Sequence, residues 1–330
     1  MVLLFCLAFA DLSILETERH LVDFDVLEVP PIIRVNSSGE IWVLAYWEGW
    51  VKKFGSNMNI LLDIPPQNNI PGGTFGIIDV LDLEDGRAWL VLHTSIKTLE
   101  IDTKTGKLQN THLMGALRTL RWGEHILLGV GKYPEIEGAQ DVIKVDDQGR
   151  YLDSWPIDTY TMLAKSTGMR ELVAIQDNRI FRTTGMVPEL EILTPGKGQK
   201  NWKISTPLNF VAHPTKKFNL NNRFDKNKVR EFYGSFTKIG SIFPIGKYGI
   251  AICWMKSEQP FLLDIFDYRT GKRYMRTKEV TGLLFGIVGN KLWIYEDNNH
   301  FETGQPLENE EVAIHIWNIS MDIFDDKARP

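Results

Sequence analysis

The chain lacks most of the local features that identify a function from sequence. It has only two cysteines, Cys6 and Cys253, so no disulfide framework can be argued. Beyond its first residues, no run approaches the roughly 18 apolar residues of a membrane span. The formal net charge of −5 removes the global electrostatic reason to expect nucleic acid. Neither a G-x-S-x-G nucleophile nor a His-x-x-x-His metal pair occurs, so no hydrolase motif can be read locally.

The composition is that of a globular protein rich in strands. Of the 330 residues 43% are apolar and 24% are charged, and ten Trp, seventeen Phe and nine Tyr are present. Aromatic and branched side chains fit a pleated, half-buried surface. This length suits two ordinary domains or one large all-β domain. Cys253 lies in the apolar run "YGIAICWM", which favours a buried, inert thiol over a nucleophile.

The first ten residues, "MVLLFCLAFA", have features of an export signal. They are apolar and end in Ala8-Phe9-Ala10, the small-x-small pattern of a signal-peptidase site, although a basic n-region is missing. We therefore predict a leader segment over residues 1–20 and an extracytoplasmic protein, periplasmic or secreted. A buried segment of the fold is the alternative. Phe5 before Cys6 disfavours lipidation, because a lipoprotein signal has a small residue there.

One short sequence motif, typical of a turn, occurs three times. "IDTKTGK" (residues 101–107) returns as "FDYRTGK" (266–272), and "VDDQGR" (145–150) is a looser relative. Asp can accept hydrogen bonds from backbone N–H groups two residues on, and Gly adopts the positive φ that closes a short hairpin. The pattern indicates equivalent hairpins in a repeating unit. A phosphate-binding role is disfavoured, because the Gly-Lys pairs have no Walker spacing.

The repeating unit is a four-stranded meander. The first unit reads as the strands "IIRV", "EIWVLAYW", "WVKKF" and "ILLDI". In the fourth unit we assign the strands to "YTMLAKSTGM", "RELVAIQ", "RIFRTT" and "ELEILTP". Units of about 40 residues with this content are typical of a β-propeller. We predict an all-β, six-bladed β-propeller of four-stranded antiparallel blades, with seven blades as the alternative.

The two ends of the chain are expected to close the ring. The sixth unit stops after its third strand, while "HLVDFDVLEV" (residues 20–29) precedes the first unit and belongs to none. We predict that residues 21–29 pair with the strand around residues 312–319 and remove an exposed edge. Residues 21–330 are then a single propeller domain.

In the order and spacing of its repeats, the chain after residue 20 resembles the six-bladed propellers of the NHL and TolB-like kind. It lacks the Trp-Asp strand endings and Gly-His turns of WD40 blades. The catalytic residues of the calcium-dependent lactonase propellers cannot be placed one by one on this sequence. The resemblance therefore assigns no catalytic residue to this chain.

A long, basic interruption separates the fourth and fifth units. Residues 196–240 carry ten basic and two acidic side chains, a net charge of 10 − 2 = +8. A seventh blade is disfavoured, because the segment lacks a long apolar strand. It either contacts its own acidic propeller or binds an anionic partner such as a glycan, a lipid headgroup or an acidic protein. Its aromatic residues Phe218, Phe224, Phe232 and Tyr233 could stack or pack there. The candidate cations are Lys216, Lys217, Arg223, Lys226, Lys228 and Arg230.

A second candidate surface is the rim formed by the links from second to third strands. In propellers these links gather with the inter-blade links on one face around the channel. The candidate ligand-binding residues are Tyr46, Trp47, Glu48, His93, Tyr133, Glu135, Asp177, Asn178, Lys256, Glu296 and Asp297.

We predict a monomeric, non-catalytic binding propeller without a cofactor, whose partner is a protein or an anionic glycan or lipid surface. The alternative is a calcium-dependent hydrolase of the lactonase type, in which paired carboxylates such as Glu296 and Asp297 would ligate calcium.

Overall fold

The computed structural model describes residues 15–23, 32–45, 49–65, 76–92, 97–138, 140–156, 173–194, 198–214, 218–222, 225–256, 261–277, 279–296 and 311–319. These residues form six antiparallel sheets of four strands each. The first strands of successive sheets contact one another all the way round, including β2 with β22. The chain is therefore a six-bladed β-propeller, as the repeats predict.

The blades follow one another along the chain, and each runs from the central channel outward. Blade one contains β2 (Ile32–Val35), β3 (Ile41–Leu44), β4 (Val51–Phe54) and β5 (Ile60–Ile64). Blade two contains β6 (Ile77–Asp82), β7 (Arg87–Leu92), β8 (Lys97–Asp102) and β9 (Leu108–His112). Blade three contains β10 (Arg118–Trp122), β11 (His125–Gly131), β12 (Gln140–Asp146) and β13 (Tyr151–Pro156).

The second half of the ring repeats this order. Blade four contains β14 (Val173–Gln176), β15 (Arg179–Arg182), β16 (Glu189–Thr194) and β17 (Gly198–Lys203). Blade five contains β18 (Lys238–Ile245), β19 (Gly249–Met255), β20 (Phe261–Asp267) and β21 (Arg273–Arg276). Blade six contains β22 (Leu283–Val288), β23 (Lys291–Glu296), β24 (Glu311–Asn318) and, as its outer strand, β1 (Leu15–Asp23).

Strand β1 closes the ring, but it lies earlier in the sequence than predicted. It pairs antiparallel with β24, from Leu15 opposite Asn318 to Asp23 opposite Glu311. Residues 15–20 of the predicted leader segment therefore belong to the sixth blade. Residues 21–23 pair with β24 as predicted, and residues 24–29 lie outside the described residues. Residues 15–23 contain only three apolar side chains, Leu15, Leu21 and Val22, so the sequence pattern favours the more apolar residues 21–29.

The fourth blade is shifted by one strand relative to the prediction. Strand β14, assigned from sequence as the second strand, is the innermost one, and β17 lies inside the predicted insertion. Five of the six residues of β17 are exposed, which is why its sequence "GQKNWK" resembles a loop. The insertion therefore spans residues 204–237, between β17 and β18.

A buried carboxylate ties the inner strands of three blades together. Asp79 on β6 has no exposed surface. It accepts hydrogen bonds from Arg34 Nε of blade one at 2.6 Å, and from Arg118 Nη1 and Thr119 Oγ1 of blade three at 3.1 and 2.9 Å. Burial alone would raise the pKa of Asp79, but the two guanidinium charges and the Thr119 hydrogen bonds outweigh it and lower the pKa.

Two tryptophans on second strands, Trp89 and Trp254, donate to carboxylates on the third strands of their own blades. Trp89 Nε1 donates to Glu100 Oε2 at 2.9 Å, and His112 Nε2 of the outer strand lies 3.3 Å from the same oxygen. In blade five, Trp254 Nε1 donates to Asp264 Oδ2 at 2.9 Å. These buried indoles thus satisfy their N–H groups inside the blade.

The repeated turn has the predicted local structure. Asp102 Oδ1 accepts hydrogen bonds from the backbone N–H groups of Lys104 and Thr105 at 3.1 and 2.7 Å. Asp146 and Asp267 accept from the backbone N–H groups two residues on at 3.0 and 2.8 Å. The Asp in this turn therefore organises the hairpin between the third and outer strands.

The glycine of the same turn packs against the preceding blade. Gly106, Gly149 and Gly271 have φ values of +69°, +76° and +72°. A Cβ at Gly106 would lie 3.0 Å from Ile64 Cγ1, on the outer strand of blade one. At Gly271 it would lie 3.2 Å from Trp202 Nε1, on the outer strand of blade four. At these turns the neighbouring blade leaves little room for a side chain, which is a second reason for glycine beside the positive φ.

Cys253 on β19 is buried, as its apolar surroundings predict. Burial raises the pKa of its thiol to about 12. The group is therefore an un-ionised thiol at neutral pH, and a thiol in this state is a poor nucleophile.

Candidate interaction face

The antiparallel meander places two kinds of link at the same strand ends. Links from second to third strands and links between blades both leave from the ends where the inner strands begin. The insertion (residues 204–237) is one of these inter-blade links. It contains a 3-10 turn, Leu220–Asn222, and the helix α1, Lys226–Gly234.

Helix α1 begins at a side-chain cap. Asp225 Oδ1 accepts hydrogen bonds from the backbone N–H groups of Asn227 and Lys228, both at 3.2 Å. Lys228 Nζ lies 3.4 Å from Asp225 Oδ2. The hydrogen bond from the Lys228 amide is the main cause of a lowered pKa at Asp225. The polar stretch from Asp225 to Gly234 is thus a capped helix.

Aromatic side chains form the interior of the insertion. The rings of Phe218 and Phe232 are 5.2 Å apart, those of Phe232 and Phe236 are 5.8 Å apart, and His213 lies 4.6 Å from Phe236. Phe236 is fully buried and Phe218 nearly so. Burial lowers the pKa of His213, which favours its neutral form. Phe218 and Phe232 pack inside the insertion, while the side chains of Phe224 and Tyr233 lie outside the described part.

The insertion is attached to the ring at both of its ends. At its start, the Ile204 N–H donates to the Pro188 carbonyl at 2.9 Å. Just after its end, the Ile239 N–H donates to the Gly185 carbonyl at 2.9 Å. Phe210 adds an edge-on contact with Trp254 of blade five, with ring centres 6.0 Å apart. The insertion is a folded element seated on blades four and five.

Three exposed apolar side chains lie on the insertion and on the neighbouring loop between β15 and β16. Leu208 is fully exposed at 101%, and Val187 and Val211 are 46% and 40% exposed. Leu208 sits in a turn closed by the Phe210 N–H, which donates to the Pro207 carbonyl at 3.1 Å. We call Val187, Leu208 and Val211 the apolar patch. Sequence reasoning missed it, because an isolated Leu or Val gives no sign of its exposure.

The insertion is basic on an otherwise acidic chain. With the corrected bounds it has six basic and two acidic residues, a net charge of +4, which leaves −5 − 4 = −9 for the rest. All six candidate cations fall within it. Lys228 is exposed, Lys226 and Arg230 lie on α1, and Lys216, Lys217 and Arg223 lie outside the described residues.

Two predicted rim residues lie on the link between β11 and β12. Tyr133 is turned towards the outer hairpin of its own blade. Its hydroxyl donates to the Gly149 carbonyl and accepts from the Tyr151 N–H, both at 3.1 Å. Glu135 is exposed two residues further on. Tyr133 therefore supports the blade, whereas Glu135 is accessible on this link.

Lys256 and Glu296 lie at the ends of second strands, as predicted. Lys256 is exposed, and its carbonyl accepts a hydrogen bond from Lys238 Nζ at 2.7 Å. Glu296 Oε2 lies 2.6 Å from His315 Nε2 on the adjacent strand. Glu296 thus has a partner within its own blade.

The predicted placement of Asp177 and Asn178 is corrected. Because β14 is the innermost strand, these residues form the link between first and second strands, at the opposite strand ends from the rim. Both have positive φ, 47° and 54°. Their side chains bond to neighbouring blades: Tyr268 Oη donates to Asp177 at 2.9 Å and Trp122 Nε1 donates to Asn178 at 3.0 Å.

The remaining rim candidates fall outside the residues that the structure describes; they are Tyr46, Trp47, Glu48, His93 and Asp297. Within the described part, no three His, Cys, Asp or Glu side chains group closely enough to hold a metal ion. The calcium alternative stays a prediction. No helix in the part of the chain placed by the structure is long and apolar enough to cross a membrane.

Comparison with known proteins supports the fold. A member of the DUF4221 family from Bacteroides vulgatus matches with a TM-score of 0.64 at 10% identity, over 93% of this chain and 98% of that one. A protein from Bacteroides fragilis described as exported matches with a TM-score of 0.55 at 10% identity, over 92% and 95%. A streptogramin B lyase gives 0.50 at 10% identity, over 92% and 98%. No family model and no curated protein matches the sequence.

These likenesses and the blade geometry define the class of protein. The chain is a six-bladed β-propeller. At this level of identity the likeness shows the fold alone.

Proposed function

We propose that the protein is a non-catalytic, extracytoplasmic interaction propeller, and that its insertion docks onto an acidic protein surface. The exposed Leu208 on a folded, basic insertion is the observation that carries this proposal. Removing exposed apolar side chains from water on binding is favourable, so Leu208, with Val187 and Val211, provides a driving force for docking. The apolar N-terminal segment and the description of the Bacteroides fragilis protein as exported support the location.

The insertion meets two physical requirements of a docking element. Its aromatic interior and the hydrogen bonds of Ile204 and Ile239 hold the apolar patch in place, so little ordering entropy is lost on binding. Its charge of +4 stands against −9 on the rest of the chain, so an acidic partner is attracted to the insertion and repelled elsewhere. The exposed apolar side chains favour a protein over a glycan, because glycans offer little apolar surface.

The test begins with a photo-crosslinking amino acid at position 208, introduced in the organism that makes the protein. Leu61, 43% exposed on the outer strand of blade one, is the matched control position. We expect a discrete protein adduct at 208 and none at 61. Binding of that purified partner should then weaken at least tenfold with Leu208→Asp and remain unchanged with Leu61→Asp.

Charge is tested separately. A variant with the six candidate cations replaced by Ser should bind the same partner more weakly. Wild-type binding should fall as salt shortens the Debye length from about 10 Å at 0.1 M towards about 3 Å at 1 M. Equal crosslinking at 208 and 61 would overturn the proposal. Binding of the insertion to heparin or to phosphatidylglycerol vesicles without any protein adduct would overturn it in favour of a glycan or a membrane.

A further inference from the structure

Strand β17 differs from the other outer strands that the structure describes, because its pairing is regular along its whole length. All six of its residues pair one to one with β16, from Gly198 opposite Thr194 to Lys203 opposite Glu189. A bulge bends a strand and protects its open edge from further pairing. Each of the other five outer strands has such an extra residue; they are Thr17, Leu61, Gln109, Leu152 and Tyr274.

The backbone groups on the open edge of β17 can be assigned. The Ile204 N–H donates to the Pro188 carbonyl at 2.9 Å, so these two residues form a hydrogen-bonded position of the β16–β17 ladder. In an antiparallel pair such positions alternate with positions whose N–H and C=O groups point away from the partner strand. The backbone groups of Gln199, Asn201 and Lys203 therefore point outward. All three residues are exposed, and β17 is the last described strand of its sheet.

The side chains of β17 favour an acidic strand on this edge. Lys200 and Lys203 are exposed, and the strand has no acidic residue. A second copy of β17 would place lysines beside lysines, which is unfavourable. An extended segment with Asp or Glu side chains would instead place opposite charges across the new pair.

The open edge adjoins the insertion. Ile204, the first residue of the insertion, follows Lys203 directly. Its hydrogen-bond partner Pro188 is next to Val187, which belongs to the apolar patch and is 46% exposed. The Lys203 end of β17 is therefore the end that lies nearest in the chain to both parts of the apolar patch.

We propose that the acidic partner of the insertion binds through an extended segment that adds to β17 as a fifth strand of blade four. This inference rests on the docking function proposed above and specifies how the partner is held. Main-chain hydrogen bonds to Gln199, Asn201 and Lys203 give affinity for an extended segment, and Lys200 and Lys203 select an acidic one. The apolar patch contacts a second part of the same partner.

The first experiment places a photo-crosslinking amino acid at position 201 in the organism that makes the protein. Asn110, an exposed asparagine on the bulged outer strand β9, is the matched control position. We expect the protein adduct found at position 208 to form at 201 and not at 110. An adduct at 208 without one at 201 would overturn fifth-strand binding and leave the docking of the insertion standing. Absence of an adduct at both 201 and 208 would overturn both proposals.

The second experiment measures amide hydrogen exchange of β17 at single-residue resolution, with and without the purified partner. In the free protein the outward N–H groups of Gln199, Asn201 and Lys203 should exchange fast. Those of Lys200 and Trp202 should exchange slowly, because they bond to β16. The partner should slow the three outward groups by about tenfold or more. Unchanged exchange at these three groups would show that the partner does not pair with β17.

Two substitutions at one position separate backbone pairing from side-chain contact. Asn201→Pro removes an outward N–H without breaking a bond to β16, and an edge strand tolerates proline at such a position. Asn201→Ala loses the side chain but keeps the N–H. We expect the Pro variant to bind the purified partner about tenfold more weakly than the Ala variant. Equal affinities of the two variants would contradict the proposal.

Charge selection on β17 is tested with Lys200→Gln and Lys203→Gln. Each variant should bind the partner more weakly than wild type, and the difference should shrink as the salt concentration rises. Each variant is first checked for an unchanged circular dichroism spectrum. If Asn201→Pro fails this check, amide exchange of the wild-type protein decides the outcome.

Discussion

Asn178 Oδ1 accepts a hydrogen bond from Trp122 Nε1 at 3.0 Å, across the boundary between blades three and four. The preceding residue, Asp177, accepts one from Tyr268 Oη at 2.9 Å across the boundary between blades four and five. One two-residue turn therefore connects three blades. Both residues adopt positive φ, which Asn and Asp tolerate better than most side chains.

Replacing Asn178 should separate its side-chain role from its backbone role. Asn178→Gly accepts the φ of +54° but removes the bond to Trp122, so we expect a loss of about 1 kcal/mol in the free energy of unfolding. Asn178→Ala adds backbone strain and should cost about 1 kcal/mol more. Asn178→Asp keeps an acceptor oxygen and is the control. Urea denaturation measures all three; equal stability of the Gly variant and wild type would show that the bond contributes nothing.

The contact between blades at Gly106 can be isolated in the same way. Gly106→Ala introduces positive-φ strain and a Cβ 3.0 Å from Ile64 Cγ1. Gly123→Ala has a similar φ of +59° but no atom within 4 Å, so it reports the strain alone. We expect a loss of about 1 kcal/mol for Gly123→Ala and about 2–3 kcal/mol for Gly106→Ala. Equal losses would mean that Ile64 moves aside freely.

The Asp79 network predicts acid sensitivity. Because its pKa is lowered on folding, the carboxylate contributes stability that is present above its unfolded pKa of about 3.9 and is lost as the pH falls below that value. Asp79→Asn should destabilise the protein at pH 7 by about 3–5 kcal/mol, because Arg34 and Arg118 lose the buried charge that they share.

The pH dependence is measured from urea midpoints between pH 7 and pH 3. The difference between wild type and Asp79→Asn should shrink towards the acid end. Asp153→Asn, a change of an exposed carboxyl on β13, is the control for general acid effects. A constant difference over the whole range would contradict the lowered pKa of Asp79.

Ring closure predicts a sharp boundary in a truncation series. Removal of residues 1–14 leaves β1 whole and should leave Tm unchanged. Removal of residues 1–23 exposes the edge of β24 and should lower Tm by about 5 °C or more. Differential scanning calorimetry gives both values. If the protein that lacks residues 1–23 has the same Tm as the full chain, β1 does not stabilise the ring.

The sequence predicts the architecture because the repeated turns are chemically specific. Asp102 and Gly106 can be read as a hairpin without knowledge of any contact, since one binds local backbone and the other needs positive φ. The shift in blade four was missed because its first hairpin turns at Asp177 and Asn178 without a glycine. Its outer strand is exposed and therefore has no apolar pattern.

The candidate surfaces were less predictable for a different reason. From the sequence alone, Phe218 and Phe232 suit a ligand-binding site and a hydrophobic core equally well. Their mutual packing shows that they belong to the core of the insertion. Lys291 Nζ lies 3.2 Å from Glu18 Oε1, although the two residues are 273 positions apart. No local pattern marks such a pair, so the contact follows only from the register of β1 on β24.

The pairing of residues 15–23 with 311–318 sets a condition on how the protein is made. Strand β1 is synthesised before the other described strands of the ring, and its partner β24 after all of them. During that interval β1 has no strand to pair with in its own blade, and an unpaired strand can join the wrong partner. Its sequence, "LETERHLVD", carries four charged residues, Glu16, Glu18, Arg19 and Asp23. Charges of this kind oppose edge-to-edge association. They therefore disfavour wrong pairing of β1 until the other strands of the sixth blade have been synthesised.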